Sequence, residues 1–315
     1  MSNPQFAEPE WQSPQPGNGN TDLQAQERDR AQPINTDPGE KIQPHAGRRR
    51  PWFWIISALI ILAVIVAGAD AAFAIFQHTA TETHTYTVGS QPTLVINDDT
   101  GSITIQRGST NSQITILAAK HLRAFGIGSP PAIQYNQHGN IITARAYSND
   151  SFSGFGSNNV DFEVTLPANA NLQVHTDTGL VTVNSISGTM SLTTSTGSIN
   201  ATQVTLSGHS VLTSDSGSIV FLGATDPGGL YQFSADTGSL NVTLPGSSSF
   251  HLDARTNTGS LNSDFVDVNV QHANSIGNVA YGNVGASPAA TVVLKTNTGS
   301  IDLHKCDFCV IHHNE

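Results

Sequence analysis

The stretch Tyr231–Val242, YQFSADTGSLNV, decides the fold. Phe233 and Ala235 alternate before an Asp-Thr-Gly-Ser corner, and Leu240 and Val242 alternate after it. A period of two is that of a strand with one face turned inward. Asp, Thr and Ser build turns by bonding their side chains to nearby backbone, and Gly tolerates positive φ. The twelve residues therefore predict strand, corner, strand.

The pattern recurs. LVINDDTGSITI, LQVHTDTGLVTV, MSLTTSTGSINA, SVLTSDSGSIVF, LDARTNTGSLNS and VVLKTNTGSIDL align with it without a gap, seven copies in all. Their glycines are Gly101, Gly179, Gly197, Gly217, Gly238, Gly259 and Gly299, spaced by 78, 18, 20, 21, 21 and 40. The unit is about 20 residues long, and the last gap reads as two turns, one of them a degenerate rung around NSIGNVAYGN near Gly277. Inward positions repeat at Leu212, Ser214, Ile219 and Phe221, and again at Leu252, Ala254 and Leu261. A second corner falls midway, at Ser187-Gly188, Ser207-Gly208 and Pro245-Gly246. Such a unit cannot close its own core, but it can when stacked on its neighbours at about 4.8 Å. The expected fold is all-β: a β-solenoid of the single-stranded right-handed β-helix type over residues 172–304. A Greek-key sandwich is the runner-up, and it gives no reason for one corner to recur seven times.

Residues 85–171 read as a less regular β region. QITILAA, AIQYNQHGNIITARAY and VDFEVTLP are strand-like, the second a hairpin around His138-Gly139, while FGIGSPP and SNDSFSGFGSNN read as loops. Residues 1–50 hold seven of the 24 acidic groups, six of the 13 basic ones and seven of the 15 prolines. This composition buries too little apolar surface to offset its ordering entropy, which predicts a disordered tail. Residues 51–76 follow with WFWIISALIILAVIVAGADAAFAIF from Trp52 to Phe76, uncharged from Trp52 to Ala69 and long enough to cross most of a bilayer core as a helix. Arg48, Arg49 and Arg50 precede it and no Lys or Arg follows until Arg107, so the N-terminus is expected in the cytosol and the C-terminal domain outside the plasma membrane. Ala67-Gly68-Ala69 and Ala72-Phe73-Ala74 have the form of a signal-peptide cleavage site. The long polar segment ahead of the arginines favours a retained anchor. Residues 77–84 read as a linker, and 305–315 as a Cys/His tail.

Charged residues make up 12% of the 315, about half the ~25% of ordinary soluble domains. Beyond residue 79 seven basic and sixteen acidic groups leave a net charge of 7 − 16 = −9. Nucleic acid is excluded as a partner, because neutralising phosphates needs a basic surface. An anionic lipid face is disfavoured for the same reason.

The order LVINDDTGSITI, hairpin, VDFEVTLPANANLQVHTDTGLVTV, stacked TGS turns and a closing VVLKTNTGSIDL resembles the bacterial putative-adhesin family (the domain of unknown function 4097 type), over roughly residues 85–304. The join LPANANLQVHTDTG is its most specific part. The resemblance implies a membrane-anchored β-helical domain at the cell surface. It carries over no catalytic residues.

Asp236-Thr237-Gly238-Ser239 also resembles the signature of pepsin-like aspartic proteases, in which two carboxylates share a proton. The corner position before Thr/Ser-Gly, however, holds Asp99, Asp177, Ser195, Asp215, Asp236, Asn257 and Asn297, so any turn former serves there. A column of carboxylates on adjacent rungs would offer oxygen ligands to Ca²⁺, but Ser195 and Asn257 interrupt it. A polysaccharide lyase or hydrolase would need clustered acids with a basic partner, and Arg255 is the only Lys or Arg between Arg145 and Lys295. In the tail, Cys306 and Cys309 are the only cysteines, with His304, His312 and His313 beside them. A disulfide is favoured outside the cell, ahead of a zinc site on Cys306, Cys309, His304 and His312, or of free thiols. No cofactor is expected. The functional expectation is a non-enzymatic surface protein, anchored through Trp52–Phe76, that binds an extracellular glycan or protein as an adhesin or envelope scaffold. The alternative is an envelope-stress sensor with the cytosolic tail as output.

Overall fold

The computed structural model describes residues 77–123, 131–147, 159–273 and 277–307, and every element among them is a strand. The tail 1–50, the apolar run Trp52–Phe76, the expected loops at 125–130 and 148–158, and Cys309, His312 and His313 lie outside the described residues.

The chain enters through β1 (Gln77–Thr87), so the segment 77–84 is strand where a linker was expected. The eleven residues of β1 pair antiparallel with β4 (Gln113–Arg123), and that ladder gives the segment its structure. Between them β2 (Thr93–Thr100) and β3 (Ile103–Arg107) meet at Gly101 and form the first rung. The hairpin expected at His138-Gly139 is present as β5 (Ala132–His138) and β6 (Ile141–Tyr147), and β7 (Asn159–Leu166) follows. Then come β8 (Asn171–Thr178) with β9 (Val181–Asn184), the short β10 (Ser187–Gly188), β11 (Met190–Thr196) with β12 (Ile199–Leu206), β13 (His209–Ser216) with β14 (Ile219–Thr225), β15 (Leu230–Thr237) with β16 (Leu240–Pro245), and β17 (Phe250–Thr258) with β18 (Leu261–Ser263). The chain ends in β19 (Val268–Ala273), β20 (Gly277–Val284), and β21 (Ala290–Thr298) with β22 (Ile301–Cys306).

Each corner motif feeds one strand into each of two eleven-stranded sheets, and successive rungs pair in parallel register. The alternation read from the sequence sets which side chains turn inward: Leu212, Phe233, Leu252, Ile219, Phe221, Leu240, Val242 and Leu261 all lie in one continuous apolar core. Aligned register stacks like on like. One row runs Ile96, Val174, Leu192, Leu212, Phe233, Leu294, and Phe221 meets Phe233 edge to face across the core at 5.2 Å.

The stacking order departs from chain order at one place. The last copy, β21 and β22, inserts between the fifth and sixth, so the corner glycines run Gly101, Gly179, Gly197, Gly217, Gly238, Gly299, Gly259 through the stack. NSIGNVAYGN is correspondingly no degenerate rung. Its residues from Gly277 belong to β20, which pairs antiparallel with β17 on one side and β19 on the other. The 40-residue gap is thus an excursion that caps the stack before the chain returns inside it. The opposite end is finished in the same way, by β4 and β1 antiparallel on β7 and by β5 antiparallel on β6. A parallel stack offers an open strand edge at each end, and reversing strand direction blocks its continuation by a further rung.

Candidate functional site

Six of the seven corner glycines donate their N–H to the next rung, as in Gly217 to Thr237 O (2.9 Å), Gly238 to Thr298 O (2.9 Å) and Gly299 to Thr258 O (2.8 Å). A Cβ on Gly238 would lie closer than 3.0 Å to Gly217 O, and one on Gly299 equally close to Gly238 O. Glycine is therefore required for two reasons: a φ of 150° at Gly238, and a neighbouring carbonyl in the place of a side chain. The serines after these glycines bond along the stack as well, with Ser239 N–H donating to Ser218 Oγ at 3.2 Å and Ser300 Oγ bonding Ser239 Oγ at 3.1 Å.

The outward corner residues are turn formers, all exposed except the half-buried Ser195, and three of them are linked rung to rung. Asn257 Nδ2 donates to Asn297 Oδ1 (3.1 Å), and Asn297 Nδ2 donates to Asp236 Oδ1 (3.0 Å). Asp236 thus sits between the rungs of Asp215 and Asn297, and its hydrogen-bond partner is an amide. Asp177 is paired with His175 on its own strand at 3.2 Å. Arg255, the basic residue considered for a lyase, is held by Asp253 two residues away at 2.9 Å. His304 bonds Asp264 Oδ2 through Nδ1 at 3.0 Å, and Cys306 is the last residue of β22. Among the described residues no group of three or more His, Cys, Asp and Glu is arranged to hold a metal ion.

Inside the corner runs a polar row in an apolar core: Asp98, Thr176, Thr194, Ser214, Ala235, Thr296 and Thr256 in stacking order, each three residues before its glycine. Four of the hydroxyls donate to the glycine carbonyl of the adjacent rung: Thr194 to Gly179 O (3.4 Å), Ser214 to Gly197 O (2.8 Å), Thr296 to Gly238 O (3.0 Å) and Thr256 to Gly299 O (2.9 Å). Asp98 opens the row. Burial first, then the charge of Asp99, pushes its carboxyl up to about 7. Asp98 was not among the sequence candidates, although counting by twos from Leu94 and Ile96 places it inward.

A second cluster lies where β1, β4 and β5 cap the stack. Lys120 Nζ is 2.8 Å from Glu82 Oε2, Tyr135 Oη donates to Glu82 Oε1 at 2.8 Å, and the His84 ring packs on Tyr135 with centroids 4.0 Å apart. Burial works against the Glu82 charge, but the bonds from Lys120 and Tyr135 outweigh it and hold the carboxyl below its ordinary range. Burial, then the bond to Glu82, raises Tyr135. Nearby, Asp161 accepts from the Ser102 N–H and Oγ, both at 2.8 Å, and pairs with His121 Nε2 at 3.0 Å. These residues come from strands far apart in the chain, so no local motif announces them.

The outer surface of the sheet containing β8 and β11 is a carpet of hydroxyls and amides. One row across the rungs reads Asn97, His175, Thr193, Thr213, Ser234, Lys295, and another Val95, Gln173, Ser191, Val211, Gln232, Val293.

A two-sheet stack of parallel rungs, with a glycine ladder at its corner and outer rows rich in hydroxyls and amides, defines the class: an all-β repeat domain. The chain belongs to the Toastrack family, DUF4097, whose model matches residues 93–304. Among solved structures it is similar to a "putative cell adhesion protein" of Clostridium sporogenes (12% identity, 72% of this chain and 100% of that one, TM-score 0.41). It is also similar to a "putative adhesin" of Bacteroides fragilis (11% identity, 71% and 97%, TM-score 0.33) and to a "putative lipid binding protein" of Parabacteroides distasonis (9% identity, 71% and 96%, TM-score 0.23). No curated protein matches the chain.

Proposed function

We propose that this chain is a non-enzymatic, single-pass protein of the plasma membrane that holds a right-handed β-solenoid outside the cell as an adhesive or scaffolding surface for a glycan or protein. The observation that carries the reading is the outer carpet of Asn97, Thr193, Thr213, Ser234, Gln173, Ser191 and Gln232, set in register on a stack locked by glycine-to-glycine contacts. Repeated donors and acceptors at the rung spacing of about 4.8 Å suit a partner that itself presents repeated hydroxyls or amides. The apolar run Trp52–Phe76 with its preceding arginines supports the anchor and the orientation.

The test uses the full chain in lipid nanodiscs on a glycan array and on intact cells. Binding is expected to survive removal of residues 1–47 and to fall when Thr193 and Thr213 are both changed to Glu, since two carboxylates then replace the hydroxyls at the middle of that row without entering the core. Binding lost with residues 1–47 would instead favour a sensor whose output is the tail. Binding indifferent to the double substitution would remove this face from the proposal.

A further inference from the structure

The polar row inside the corner carries a proposal about its first member. In the rung of Gly217, the carbonyl that a Cβ would strike is Gly197 O, and Ser214 Oγ lies 3.1 Å from the same Cβ position while donating to that carbonyl at 2.8 Å. In the rung of Gly101 the carbonyl in this place is Val160 O on β7, and Asp98 Oδ2 lies 3.0 Å from the Cβ position. Asp98 Oδ2 therefore stands where the Ser214 hydroxyl stands, facing a carbonyl where its counterpart faces one. A hydroxyl can donate there and a carboxylate cannot. Two acceptor oxygens pushed together in a dry site repel, so only the protonated acid fits.

We propose that Asp98 is kept as a neutral carboxylic acid donating to the Val160 carbonyl, and that loss of its proton to solvent loosens the joint between the first rung and the β7 cap. The surroundings agree. Asp98 is 3% exposed, and among the described residues nothing bonds Oδ2. The remaining oxygen takes the N–H groups of Thr100 and Asp99. The charged groups facing it are Asp99 on its own strand and Asp161 on β7, both of which oppose a further negative charge. Asp161 is held as an anion by Ser102, just before β3, and by His121 on β4, outweighing its own burial. On β8 the register partner is Thr176, uncharged, and the titratable His175 and Asp177 are exposed and paired with each other. On β6 Arg145 stands opposite Asn97 on the exposed face. The two charges acting on Asp98 are thus both negative, and Arg145 stands on the exposed face.

The sign follows from the raised value of about 7 against 3.8 for an ordinary carboxyl. Below pH 4 the closed and open joints are both protonated. Between pH 4 and 7 only the open joint ionises, so opening becomes about tenfold easier for each pH unit. Above pH 7 both ionise and the effect levels off.

The test is amide hydrogen exchange on the full chain in detergent micelles, read at Phe162, whose N–H donates to Ser102 O across this joint at 2.8 Å, with intrinsic rates divided out. In the natural chain opening should rise about fiftyfold from pH 5 to pH 7. Asp98→Asn and Asp98→Thr, which donate at every pH, should remove this slope, and His121→Gln should keep it. An unchanged slope in Asp98→Asn, or a slope lost in His121→Gln, overturns the proposal. Should the Asp98 variants fail to fold, the Asp98 carboxyl carbon followed by NMR in the natural chain decides alone: titration near pH 7 supports it, and titration near pH 4 refutes it.

Discussion

Gly238→Ala is the sharpest probe of the rung stack. Backbone strain and close approach both predict a loss of stability, and the structure separates them. Gly228 has φ of +80° with open space around its Cβ position, so Gly228→Ala meets strain alone, about 1 kcal/mol. Gly238 has φ of +150° and Gly217 O in the way. Relieving that overlap means moving apart the rungs joined there by Gly217 N–H to Thr237 O at 2.9 Å and Ile219 N–H to Ser239 O at 3.0 Å. Two weakened hydrogen bonds at about 1 kcal/mol each, added to the strain, bring the cost to about 3–4 kcal/mol. At 2–4 °C per kcal/mol for a domain of this size, Tm should fall by roughly 10 °C in Gly238→Ala and by roughly 3 °C in Gly228→Ala. Circular dichroism melts of the full chain in detergent measure both. Equal shifts in the two variants would show that positive φ accounts for the recurring corner glycine and that the carbonyl contact is unimportant.

Ser214→Ala removes the buried donor to Gly197 O and should cost about 1–2 kcal/mol in the same melts, whereas Ala235→Ser, which restores the row's usual hydroxyl, should cost less. Asp236→Asn should be silent within about 0.5 kcal/mol, because an Asn oxygen still accepts from Asn297; a proteolytic activity abolished by it at unchanged Tm would make the corner catalytic. An epitope tag at the N-terminus should be protected from protease in intact cells and one at Glu315 exposed, and the reverse pattern would overturn the membrane orientation. Mass spectrometry of the unreduced C-terminal peptide should find it two hydrogens lighter than after reduction if Cys306 and Cys309 are joined, and stoichiometric zinc would point to the metal reading instead.

Much of this molecule was legible in the sequence. The corner motif predicted strand, turn and strand, and the period of two predicted the inward row from Ile96 to Leu294, because pleat and turn chemistry are local properties of a few residues. The need for glycine was legible too, but only half of its cause: φ belongs to one residue, while the carbonyl of the neighbouring rung belongs to the stack. Composition likewise predicted an apolar core, and the net negative charge argued against a nucleic-acid partner, without reference to any contact.

The tertiary structure decided what depends on neighbours. Seven copies with nearly the same corner are interchangeable as partners, so nothing local states that β21 enters between β15 and β17, or that Gly277–Val284 turns back as an antiparallel cap. The packing at the ends decides this, since an unpaired strand edge must be covered by whatever segment the chain can bring to it. The same holds for Asp98. Its inward phase could be counted along β2, but its dry setting, its facing carbonyl on β7 and the negative charge of Asp161 come from strands joined only by folding.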